Sequence, residues 1–85
     1  MKLPRLRQGD MIEVVWTDAC VHKDGGWMLG DEETTVIIVT TIGCYHSITS
    51  ELFKMYASYT SNGLQGLRID IPVGCINSIS KMTTI

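Results

Sequence analysis

The stretch TTVIIVTTI, residues 34–42, constrains the fold of this chain more than any other. It is rich in β-branched residues, which lose rotamer freedom in a helix and pack well on a pleated surface. Through Val36, Ile37, Ile38 and Val39 it is apolar on both faces of a strand. A chain of 85 residues builds one modest core, and a small barrel buries only the inner face of each strand. The second apolar face therefore needs a cover. A second copy of the chain supplies one, so we expect a homo-oligomer; the alternative is that the long first loop folds over the strand within one chain.

The other segments read as strands around this one. MIEVVWTD alternates from residue 11, with Ile12, Val14 and Trp16 on one face and Glu13, Val15 and Thr17 on the other. Residues 19–33, with Asp24-Gly25-Gly26, Gly30 and the acidic Asp31-Glu32-Glu33, show no period and read as one long loop. Tyr45 to Thr49 extends the central strand past Gly43. LFKMYASYT, residues 52–60, alternates Phe53, Met55, Ala57 and Tyr59 against Lys54 and Ser58, and a helix over residues 50–58 competes. After a turn at Thr60-Ser61-Asn62-Gly63, LRIDI places Leu67, Ile69 and Ile71 inward and Arg68 and Asp70 outward. Pro72 cannot donate to a ladder and ends that strand; Val73-Gly74-Cys75 leaves room for one tight turn before the last strand, INSISKM. The expected fold is all-β: a small five-stranded SH3-like (or Sm-like) barrel with a long first loop and a short turn before the last strand. Residues 1–8 read as a basic, solvated arm and residues 9–85 as the barrel domain.

Composition narrows the partners. Seven Lys and Arg stand against nine Asp and Glu, and Lys2, Arg5 and Arg7 lie in the arm; the body then holds four positive and nine negative charges, a net −5. Nucleic-acid binding needs a basic footprint, so it is not expected. No run approaches the ~18 apolar residues of a membrane span, and no signal-peptide pattern opens the sequence, which sets the expected location in a cytoplasm. Cys20, Cys44 and Cys75 are an odd number and are expected as free thiols.

Val14, Trp16, Asp18 and Ala19 near the start, Gly26-Trp27, Thr41 and Gly43, and the closing Ile71, Pro72, Gly74, Cys75 and Ile76 give a V-x-W-x-D-A, G-W, T-x-G and I-P-x-G-C-I pattern. This pattern resembles a group of small bacteriophage and prophage accessory proteins over roughly residues 9 to 82. The resemblance implies phage origin, a small barrel and, for location, the host cytoplasm. It implies no catalytic residues. The end of the chain also resembles the end of peptide-binding SH3 domains, but the aromatic stretch that recognises proline-rich peptides is absent.

Two C-x-H pairs, Cys20 with His22 and Cys44 with His46, present residues at i and i+2, on one face of a strand, which is the geometry for a zinc site shared between segments. Structural zinc sites usually place two cysteines closer together, so core cysteine and surface histidine is the expectation, with no cofactor and no metal. A thiol enzyme needs a base and an orienting group held in place, and neither is fixed by this sequence. An enzyme is not expected. Trp16 and Trp27 read either as packing, Trp16 on the core face and Trp27 at the barrel mouth, or as ligand-binding residues in which Trp27, with Tyr45, Tyr56 or Tyr59, is a stacking platform beside Asp18 and Arg68, suited to a nucleobase. The resemblance to phage accessory proteins, and not these residues, implies the expected function: a non-enzymatic accessory protein that antagonises host defence by sequestering a nucleotide signal or binding a host protein. A structural, assembly or Sm-like nucleic-acid-binding role is the alternative.

Overall fold

The computed structural model describes residues 2–20 and 35–82. Five strands follow in order: β1 (Met11–Cys20), β2 (Thr35–Ile48), β3 (Leu52–Tyr59), β4 (Gln65–Pro72) and β5 (Ile76–Lys81), with a 3-10 turn at Val73–Cys75 before the last. All pairings are antiparallel, in the order β4-β3-β2-β1-β5. The fold is thus the all-β, five-stranded small-barrel layout expected from the sequence. Residues 52–59 form a strand and not a helix, because their apolar residues at 53 and 55 repeat with period two. β1 runs two residues further than its alternation suggested, through Ala19 and Cys20, which pair with Val36 and Thr35. The remainder of the long first loop lies outside the described residues.

β2 is the spine. Its first part, Thr35 to Cys44, pairs with the whole of β1, and Cys44 to Ile48 pairs with β3. The chain changes partner at Gly43, where the β3 backbone comes so close that a side chain would not fit. A bulge between Tyr45 and Ser47 adds local twist as the pairing is handed over. A second bulge, in β5 opposite Val15 and Trp16, skips Asn77, so that Ile76 and Ile79 both face the core although they are three residues apart. Asn77 uses its position to donate from Nδ2 to Thr17 Oγ1 at 3.0 Å.

The core comprises Ile12, Val14, Phe53, Met55, Ile71, Ile76 and Ile79, with Trp16, Tyr45, Ile48, Ile69 and Leu6 packed at its margin. Fully burying a side chain of this kind contributes about 1.5–3 kcal/mol. The N-terminal arm is accordingly not wholly solvated. Leu6 lies on the core, and the arm enters β1 through a turn in which the Asp10 N–H donates to the Arg7 carbonyl at 3.0 Å. Gly9, with φ +95°, makes the left-handed corner of that turn and donates to the Tyr45 carbonyl at 2.9 Å.

Four expected side-chain placements differ. Leu67 is 75% exposed rather than inward, and its φ of 55° turns it out of the alternation that Ile69 and Ile71 follow. Ala57 and Tyr59 are likewise exposed, since β3 beyond Tyr56 pairs only with β4 and reaches past the core. Tyr56, which the alternation puts on the Lys54 and Ser58 side and so outward, is buried at 5% exposure. Its hydroxyl lies 3.9 Å from where a Cβ on Gly9 would stand, so the arm covers it.

Candidate binding site

β1 positions two of the expected site residues. Trp16 and Asp18, two apart on one strand, share the core-side face, opposite Val39 and Ile37 of β2. Both are half-buried. The Trp16 indole Nε1 donates to Thr41 Oγ1 at 3.0 Å, on the neighbouring strand two residues along from its partner Val39. That bond fixes the ring plane, because the indole has a single donor and it is occupied. Beyond Trp16, β1 has only β2 beside it among the described residues, so Asp18 sits on a two-stranded ribbon extending past the core.

Tyr45 and Arg68 lie at the other end. Tyr45 stacks at a tilt on Phe53, ring centroids 5.5 Å apart, and its backbone receives the arm at Gly9 and Asp10. Arg68 on β4 faces outward, in an ion pair from Nε to Asp70 Oδ1 at 3.3 Å. The register places Arg68 level with Tyr56, Cys44 and Met11. From Met11 to Asp18 is about 23 Å along β1 at ~3.3 Å per residue. Trp16 and Asp18 therefore form one locus; Tyr45 and Arg68 lie away from it and, on adjacent register rows of β2 and β4 with β3 between them, are not brought together either. Trp27 lies outside the described residues.

The C-x-H pairs are placed as far as the described residues go. Cys44 and Cys75 are free thiols, each half-buried. His46 falls on the bulge of β2, which interrupts the alternation that would set Cys44 and His46 on one face, and its Nδ1 lies 2.6 Å from Ser47 Oγ. His22 and the side chain of Cys20 lie outside the described residues. Among the described residues there is no cluster of three or more potential metal ligands and no enclosed cavity.

Among the described residues two ionisable groups are shifted. Asp10 is held below the usual carboxylate range, first by the Arg7 N–H that donates to its Oδ2 at 2.8 Å and then by Lys81, whose Nζ is 3.3 Å from the same oxygen. Burial pushes the Tyr56 phenol up, and the nearby Cys44 and Tyr59 push it the same way. Asp10 clasps the start of β1 to the end of β5, and Tyr56 belongs to the packing under the arm; both are structural.

Sequence reasoning did not reach one feature, the edge of β2 from Val36 to Ile42 with which no strand pairs among the described residues. Val36, Ile37, Ile38 and Ile42 are 59, 45, 59 and 51% exposed. The signal was present in the run of β-branched residues, but the edge is set by where β3 leaves β2, which no local pattern encodes.

No protein-family model matches the chain, and comparison with curated proteins and with solved structures returns no match. Among the described residues no helix is long and apolar enough to cross a membrane.

Proposed function

We propose that this chain is a non-enzymatic binding protein of the phage accessory type, acting in the host cytoplasm against a host defence by sequestering a nucleotide signal or holding a host protein. The observation that carries this reading is the locus of Trp16 and Asp18, an oriented indole at the core margin and a carboxylate just beyond it on the same face of β1, in the strand that precedes the Trp27 segment in sequence. An aromatic face with a polar neighbour suits a nucleobase, and stacking contributes about 1–3 kcal/mol per base. The resemblance of the V-x-W-x-D-A pattern to phage accessory proteins supports the setting, and its Trp16 and Asp18 are the two residues of that locus.

The test is a thermal-shift screen of the purified chain against mono-, di- and cyclic nucleotides, followed by titration of any hit into Trp16→Phe and Trp27→Ala. A nucleotide that raises the melting temperature and binds Trp27→Ala with about ten- to a hundredfold lower affinity supports the reading. No shift with any nucleotide, together with salt-sensitive retention of oligonucleotides on a filter, favours the alternative of an Sm-like or assembly protein.

A further inference from the structure

The hydrogen-bonding directions along β2 follow from one bond. The Tyr45 N–H donates to the Asp10 carbonyl at 2.8 Å and its carbonyl accepts from Gly9, so Tyr45 turns both backbone groups towards β1. Antiparallel strands alternate, so Gly43, Thr41, Val39 and Ile37 do the same. Val36, Ile38, Thr40, Ile42 and Cys44 turn theirs to the opposite edge. There Cys44 meets β3, at Tyr56, and among the described residues no strand pairs with the other four. Four N–H and four C=O groups in a row thus face an open edge, on a strand whose side chains are exposed and apolar on both faces.

An open edge is usually guarded by charge, proline or a bulge. The outer edges of this sheet are guarded so: β4 carries Arg68, Asp70 and Pro72, and β5 carries Lys81 and the bulge at Asn77. Residues 36–42 of β2 carry neither charge nor proline nor glycine. We infer that a second copy of this chain pairs with this edge, β2 against β2, antiparallel about a two-fold axis through Val39. Of the possible registers this one engages all four residues: Val36 faces Ile42 of the partner copy and Ile38 faces Thr40, each as a doubly hydrogen-bonded pair. Val39 meets its own symmetry mate in a non-hydrogen-bonded pair, where side chains approach most closely. A two-fold sets every residue against this same stretch, so an uncharged stretch meets no like charge. An unrelated strand gains the backbone bonds but not this matching.

The pairing has a consequence for the binding locus, and this part rests on the function proposed above. Trp16 lies opposite Val39, so one row across the joined sheet reads Trp16, Val39, Val39, Trp16, with the two tryptophans roughly 14 Å apart at ~4.8 Å per strand. Both loci then lie on one continuous face, as a shared site requires.

Light scattering behind size exclusion, on the full chain, reads the pairing directly. We expect twice the 9.5 kDa chain mass. Ile38→Lys, which puts a charge on the outer face of the edge, is expected to raise the dimer dissociation constant at least tenfold, while Leu67→Lys, at an exposed apolar site on β4, leaves it unchanged. In a variant with its native cysteines replaced by serine, Val39→Cys is expected to form an intermolecular disulfide on mild oxidation and Ile37→Cys not to, which reports the register even if Ile38→Lys fails to fold. A monomer mass at about 100 μM overturns the proposal, as does a dimer lost in Leu67→Lys but kept in Ile38→Lys, or crosslinking at Ile37→Cys in place of Val39→Cys. A dimer that binds no nucleotide leaves the pairing standing and removes only the proposed ligand.

Discussion

A Cβ on Gly43 would stand 2.7 Å from the carbonyl oxygen of Tyr56 and 3.0 Å from the Cε of Met55. This close approach is where β2 passes from one partner to the next, with Ile12 of β1 on one side of Gly43 and β3 on the other. The methionine end can swing aside, but the backbone oxygen is held in the ladder.

Gly43→Ala is therefore expected to destabilise the fold by about 1–3 kcal/mol, as overpacking at a tight site does. In a chain of this size that is a drop of at least several degrees in melting temperature. Calorimetry checks it, and an unchanged transition would mean that β2 and β3 do not approach this closely.

Leu67 holds the left-handed conformation that costs an L-residue about 1–2 kcal/mol, and its exposed side chain recovers little by packing. Leu67→Gly removes the Cβ conflict at an entropic cost of about 0.5–1 kcal/mol, leaving a net gain of up to about 1 kcal/mol. Leu67→Ala keeps the Cβ and is not expected to gain. Denaturant midpoints for the two variants separate the cases: equal midpoints for Gly and Ala would remove the strain argument.

Asp10 sets an acid limb. Its carboxyl ionises below its ordinary value of 3.8 in the folded chain, so the folded state binds the proton less readily than the unfolded one. Its contribution is fully present above that ordinary value and is lost as pH falls through the lower, folded one. Asp10→Asn still accepts from the Arg7 N–H but carries no charge for Lys81. Melting curves from about pH 6 to about pH 2.5 should show the native chain more stable than Asp10→Asn at the upper end, with the gap closing at the lower. A gap constant across that range contradicts the assignment.

Much of the fold was legible because strands advertise themselves by period two. Ile12 and Val14 against Glu13, and Ile69 and Ile71 against Asp70, each specify a half-buried strand locally, and Pro72 marks its own strand end because a missing N–H needs no neighbour to have its effect. The apolar excess of Val36 to Val39 was equally readable, as was the need for something to meet it. Tertiary structure decided everything that depends on a partner strand. The burial of Tyr56 follows from the arm crossing it, the exposure of Leu67 from its left-handed backbone and that of Tyr59 from a strand outrunning the core, and the separation of Arg68 from Asp18 from the register of four strands. Among the described residues the edge of β2 is open because β3 leaves at Cys44. Side-chain periodicity is a property of one strand and is written in its residues; which edges are paired, and how far along, is a relation between strands distant in sequence, fixed only when the core closes.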